Sequence, residues 1–114
     1  MHEASIALSI LDMVAERCRA EGYSAVESVR LRIGRAAGIL PEALVFTFDA
    51  AKEDTPASDA KLLIDIVPLG GFCSGCESDF EVEDAYVLNC PVCGSTLFKI
   101  NRGYEMEIVE IDVK

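Results

Sequence analysis

The sequence predicts an α+β fold with a small metal-stapled module inserted into it. Three features carry that expectation. Helix and strand periodicities alternate through the first two thirds of the chain; two C-x2-C pairs follow, at Cys73/Cys76 and Cys90/Cys93; and a strand pattern resumes after them. Strand–module–strand order places the module inside the domain, so residues 1–70 and 101–114 form one α/β domain and residues 71–100 the inserted unit.

Residues Ser5 to Glu21 read as the first helix. Ile6, Ile10, Met13, Val14 and Ala20 recur at helical spacing, and Leu8, Leu11, Ala15 and Cys18 widen the stripe. Gly22 is placed to end it in a left-handed conformation. Val26 to Gly34 alternates, with Val29, Leu31 and Ile33 on one face and Ser28, Arg30 and Arg32 on the other, which predicts a half-buried strand. Pro41 fits the first turn of a second helix, whose apolar face is Leu44, Val45, Phe48 and Ala51. Lys52 to Ala60 has the composition of an exposed linker. Leu62 to Val67 reads as a strand buried on both faces, broken by Pro68, Gly70 and Gly71. After the cysteines, Thr96 to Ile100 is a short strand, Asn101-Arg102-Gly103 a turn, and Glu105 to Val113 a long strand. Its apolar phase shifts between Met106/Ile108 and Val109/Ile111/Val113, the signature of a bulge.

Composition narrows the function. The formal net charge of −10 argues against nucleic-acid binding and for a basic partner or a cation. No apolar run approaches the roughly 20 residues that span a bilayer, and no basic-then-apolar signal segment opens the sequence. The expected compartment is the cytoplasm, where thiols stay reduced and available to metal.

The two cysteine pairs are separated by 13 residues. Each can form a tight turn that points two thiolates at one centre, and four thiolates suit a closed tetrahedral zinc site. Gly75 and Gly94 stand where such turns often need positive φ, and Pro91 stiffens the second turn. The alternative is a pair of disulfides, which a reducing compartment disfavours. A closed four-thiolate site leaves no position for substrate, and no nucleophile–base pair emerges elsewhere, so an enzyme is not expected. Cys18, the fifth cysteine, falls beside Leu11 and Val14 on a helical projection and reads as a small buried hydrophobe.

The chain opens Met1-His2-Glu3, and His2 is its one histidine. The bulk of His2 should hinder removal of Met1. The Met1 amine, the His2 amide nitrogen and the His2 imidazole can then close two fused chelate rings around one ion, a near-planar nitrogen set suited to Ni(II) or Cu(II). Glu3 could supply a fourth ligand through its backbone nitrogen or carboxylate. Taken alone, a histidine at position 2 is more simply read as incidental.

Together these features make the chain resemble the HypA/HybF family of hydrogenase-maturation nickel metallochaperones. The resemblance rests on Met1-His2-Glu3 with Ser5 and the amphipathic helix, on Leu31-Arg32-Ile33-Gly34, on Pro41-Glu42-Ala43-Leu44 with Phe46 and Phe48, on both cysteine pairs, and on Gly103-Tyr104-Glu105-Met106. It implies a nickel domain of two helices on a three-stranded mixed sheet and a zinc-ribbon module. It implies nickel bound through Met1, His2 and Glu3, and structural zinc on Cys73, Cys76, Cys90 and Cys93. It further implies delivery of nickel to the large-subunit precursor of [NiFe]-hydrogenase, or to urease, with a nickel-insertion GTPase as partner. Two departures stand out: no histidine lies near the cysteine pairs, and Leu40 replaces a carboxylate sometimes found before the second helix, leaving Glu42 as the nearest acidic residue. The other readings of the same cysteines are a rubredoxin-like iron electron carrier, which leaves the α/β remainder without a purpose, and a zinc-ribbon interaction module.

Overall fold

The computed structural model describes residues 3–114, which contain two helices and six strands in the order α1 (Glu3–Glu21), β1 (Val26–Gly34), α2 (Pro41–Ala51), β2 (Lys61–Val67), β3 (Leu69–Cys73), β4 (Ser78–Val82), β5 (Phe98–Arg102) and β6 (Met106–Val113). The strands form two three-stranded sheets, ordered β2-β1-β6 and β4-β3-β5. The chain divides into two compact units, one of Met1–Leu31, Ile39–Asp65 and Ile108–Lys114, the other of Arg32–Gly38 and Ile66–Glu107.

In the first unit α1 buries Ile6, Ala7, Ile10, Leu11, Val14 and Cys18. These positions step by three and four, so they share one face of a 3.6-residue helix. Met13, Leu8 and Ala20 flank that face and stay exposed, so the buried stripe is narrower than the apolar pattern. Cys18 is buried in the stripe, as its projection beside Val14 requires. The α1 helix packs on α2, which contributes buried Leu44 and Phe48. Val26, Val29 and Leu31 of β1 are buried too, alternating with Arg30 and Ser28 as a one-sided strand must.

The β2-β1-β6 sheet is mixed. Along β1 and β6 the partners run in opposite directions: Ser28 Oγ meets Asp112 at 3.0 Å, while Arg32 Nη1 meets Glu107 at 2.9 Å. Along β1 and β2 they rise together, from Arg30 with Asp65 at 3.0 Å to the Arg35 N–H on the Val67 carbonyl at 2.8 Å. Steps of two from Ser28 to Arg30 to Arg32 are matched on β6 by a step of two, Asp112 to Glu110, and then one of three to Glu107. That extra residue falls where the apolar phase of β6 changes.

Two sequence expectations change here. β2 is an edge strand, not one buried on both faces: Leu62 and Val67 are buried, while Asp65 and Ile66 face outward. The 52–60 segment is not a free linker. Ala57 and Ala60 are fully buried, Lys52 Nζ donates to the Ala60 carbonyl at 2.9 Å and lies 5.9 Å from the Phe48 ring centroid, and the Val26 N–H donates to Pro56 at 2.9 Å. Its polar composition hid two small residues that fill space against the core.

Phe48 is fully buried and Phe46, two residues earlier, is 74% exposed. Phe48→Ala should therefore cost about 3–5 kcal/mol through the cavity it leaves, and Phe46→Ala no more than about 0.5 kcal/mol. Urea denaturation followed by the helical circular dichroism signal separates the two; equal losses would contradict the burial pattern.

Candidate metal centre

The cysteine-bearing unit is built on the β4-β3-β5 sheet. β3 pairs antiparallel with both neighbours, Cys73 standing opposite Ser78 on one side and Phe98 on the other. β2 ends at Val67, before Pro68, as expected, but Gly70 and Gly71 then lie inside a new strand, Leu69–Cys73, the central one of this sheet. Glycine serves close approach here: a Cβ on Gly71 would run into the Lys99 carbonyl, and one on Gly70 would lie 2.5 Å from the Arg102 guanidinium carbon. The ladder shifts register between these two glycines. β4 was not expected at all, and β5 continues through Arg102, where a turn was read.

Arg102 explains that continuation. Its guanidinium passes over Gly70 from β5 to β4, where it meets Asp79 with both terminal nitrogens, at 3.3 and 2.9 Å, and donates to the Phe80 carbonyl at 2.8 Å. Glu81 adds a second carboxylate at 3.7 Å. The Asp79 hydrogen bond, aided by both carboxylate charges, raises the Arg102 pKa above its already high ordinary value. Sequence reasoning missed this residue; the signal available was two adjacent glycines before a cysteine pair and an arginine after it.

Cys73 leaves the end of β3 and Cys76 follows after Ser74-Gly75. The Ser74 N–H and Oγ both donate to the Leu97 carbonyl, at 2.8 and 2.9 Å, which fastens this turn to the segment after the second pair. Gly75 does not take the positive φ expected of it. It is small because a Cβ would lie 2.9 Å from Ser95 Oγ, and the left-handed residue is Glu77, with φ of 53°. Gly94 does adopt φ of 79°, closing the second turn, where its N–H donates to the Cys90 carbonyl at 2.8 Å and the Cys90 N–H donates to Ser95 at 2.8 Å.

These two turns bring Cys73, Cys76, Cys90 and Cys93 together, their sulfurs all within 4.8 Å of one another. Contacts run across the turns, with Cys73 Sγ 3.7 Å from Cys93 Sγ and Cys76 Sγ 3.8 Å from Cys90 Sγ. A tetrahedron of thiolates about 2.3 Å from a central ion has sulfur–sulfur edges of about 3.8 Å, so this donor set fits a tetrahedral metal ion. All five cysteines are free thiols. Burial opposes charge on Cys90, but N–H donors of Cys93 and Val92, with the Cys73 and Cys76 thiols, bring its pKa down to about 7. The Ser95 backbone favours the Cys93 thiolate, yet desolvation and the three neighbouring sulfurs push it up to about 12.

Behind the sulfurs lies a small core of Cys73, Cys90 and Phe80, ringed by Val82, Val87, Phe98 and Ile100. The Phe80 and Phe98 rings meet edge to face at 5.7 Å. Two of the metal-facing cysteines are therefore two of the three fully packed residues of this core.

Of the N-terminal candidates, Met1 and His2 lie outside the described residues, and Glu3 is the first residue of α1. There its carboxylate suits the positive end of the helix, a role independent of metal. Leu40 is the N-cap of α2 without a side-chain cap, and Glu42 is exposed in the first turn.

Two three-stranded sheets, two helices and a four-thiolate centre define a small protein built to hold a metal ion. The chain belongs to the HypA family: its sequence model, described as hydrogenase/urease nickel incorporation, metallochaperone, hypA, matches residues 1–113. A hydrogenase maturation factor HypA from Chlorobium luteolum is 47% identical over 111 residues, covering 97% of this chain and 94% of the relative. A second, from Chlorobaculum parvum, is 38% identical over 114 residues and the full length of both. The solution structure of the nickel metallochaperone HypA from Helicobacter pylori shares the fold, with a TM-score of 0.68 at 24% identity over 99% of this chain and 97% of that one.

A Cys73→Ala, Cys90→Ala double variant should fall from one tightly held metal ion per chain to none, because half the donor set is gone, and should lose hydrogen-exchange protection in β3–β5. Cys18→Ala, altering a thiol remote in sequence from the centre, should keep its metal. Elemental analysis of untagged protein decides; stoichiometric metal in the double variant would refute the four-thiolate site.

Proposed function

We propose that this protein carries Ni(II) on its N-terminal segment and delivers it during maturation of [NiFe]-hydrogenase, with urease a further recipient, while a structural zinc ion holds the cysteine unit together. The observation that carries this reading is the whole-chain match to a nickel-incorporation family, which begins at residue 1 and so takes in Met1-His2-Glu3. The two metals have separate tasks. The cysteine centre fits a tetrahedral ion and its sulfurs are part of a core, so releasing that ion would dismantle the unit. Cargo needs a site that can be vacated. An amine, an amide nitrogen and an imidazole at a chain start form such a site, with Glu3 at the head of α1 within one residue of the chelate.

In this reading the protein acts as a carrier and not as a catalyst, and its partners are the maturation GTPase and the hydrogenase large-subunit precursor. It works in the cytoplasm; among the described residues no helix is long and apolar enough to cross a membrane. The zinc-bearing part, residues 71–100, is inserted into the nickel-bearing part, residues 1–70 and 101–114. Release is a transfer between ligand sets: the incoming site displaces the His2 imidazole, the His2 amide nitrogen and the Met1 amine, and at neutral pH the amide nitrogen and the amine each take up a proton as they leave.

Three proteins test the cargo site by nickel titration: one with a free Met1 amine, one acetylated on the Met1 amine, and His2→Ala. Acetylation keeps the imidazole and removes the amine donor, so affinity should fall at least about tenfold, and His2→Ala should fall as far or further. Binding should weaken on acidification in the first protein, since protons compete for its nitrogens. Zinc content should stay constant throughout. Equal nickel affinity in the free-amine and acetylated proteins would remove the amine from the ligand set.

A further inference from the structure

β6 is the outer strand of the β2-β1-β6 sheet, so one side of its backbone has no strand neighbour among the described residues. Edge strands are usually blunted by lysine, proline or a covering element, because open N–H and C=O groups template another chain. The sequence of β6, Met106-Glu-Ile-Val-Glu-Ile-Asp-Val113, contains neither lysine nor proline. Beside it lies an open groove of about 470 Å³ between α1 and the Ile108–Val113 stretch, to which α1 contributes Met13, Arg17 and Cys18 and the following turn Tyr23. Arg17 and Glu21, paired at 2.8 Å, also line the groove, as does part of Glu110, while Met13 and Tyr23, both exposed, give it apolar walls beside Val109, Ile111 and Val113.

The opposite face of the same stretch is acidic. Glu110 and Asp112 stand there with Asp65 of β2, and the nearest cation is Arg30, 3.0 Å from Asp65 and 3.7 Å from Glu110. Arg30 lies on β1 and is shared with Asp65 on the far side of the sheet, so Glu110 and Asp112 leave the β6 edge net negative. Side chains on an added strand would alternate between the two faces: one set would enter the apolar groove, the other would meet the acidic row.

We propose that the Ile108–Val113 edge of β6 is a docking site for an extended segment of a partner protein in which basic and apolar residues alternate, bound by strand addition. A second copy of this chain is the wrong occupant. Pairing β6 with itself would set Glu110 and Asp112 of both copies on one face, and like charges directly opposed across strands destabilise pairing. A basic strand instead gains the backbone hydrogen bonds, the groove and the charge together. The site is independent of the nickel ligands.

The probe is a capped eight-residue peptide of alternating lysine and valine, titrated into the isotope-labelled full chain with its bound metal. Two controls are the lysine–proline peptide of equal charge, which cannot pair as a strand, and the glutamate–valine peptide. The lysine–valine peptide should shift the amide resonances of residues 108–113 and slow their hydrogen exchange. Both controls should bind at least tenfold more weakly. Glu110→Lys with Asp112→Lys, and separately Met13→Ala with Tyr23→Ala, should each weaken binding at least fivefold; these side chains are on the surface, so the variants fold. Equal binding of the lysine–proline peptide, or shifts spread over the acidic surface with none in 108–113, would overturn the proposal. So would protection of 108–113 that rises with protein concentration in the absence of peptide, which would assign the edge to a second copy.

Discussion

The meeting of four sulfurs at tetrahedral spacing is the constraint on which the cysteine unit depends. A segment of this size cannot assemble a sufficient apolar core, and here the core is Phe80 packed on two of the cysteines. Four thiolates this close repel one another, a charge that a bound cation would compensate. With one, each thiolate is compensated and the two turns are pinned. Metal binding and folding of this unit are therefore one event.

The rest of the unit is arranged to let those turns face each other. The β4-β3-β5 sheet brings the first turn out of β3, and Ser74 ties it to Leu97 just before β5 begins. Arg102 clamps the outer strands by reaching across the middle one. That reach is possible only because residue 70 has no side chain. Exposed salt bridges contribute little on their own, but this one also satisfies a backbone carbonyl and is only one-quarter exposed at Arg102.

In the first unit the apolar work is done by regular elements, and none of its described residues form a metal-binding cluster. Six buried positions on α1, two on α2 and the alternating residues of β1 form a conventional packed interior. A cargo ion held at the start of α1 would then come and go without disturbing the core beneath it.

Periodicity and spacing by themselves determined α1, β1, α2 and the four-cysteine centre. A buried helix face repeats every 3.6 residues, a one-sided strand every two, and C-x2-C pairs leave few geometries open to their sulfurs. The resemblance to the nickel chaperones likewise rested on local motifs readable in order. What the sequence left undecided were features whose cause is a distant neighbour. Gly70 and Gly71 look like strand breakers until Arg102 and Lys99 lie against them. Gly75 looks like a turn former until Ser95 stands beside it. Ala57 and Ala60 look solvated until the 52–60 segment folds back and buries them. β2 reads as a doubly buried strand because its residues are apolar, yet its place at the sheet edge leaves Ile66 outside. In each case the side chain, or its absence, answers to a contact made across the fold, and only the tertiary structure supplies that contact.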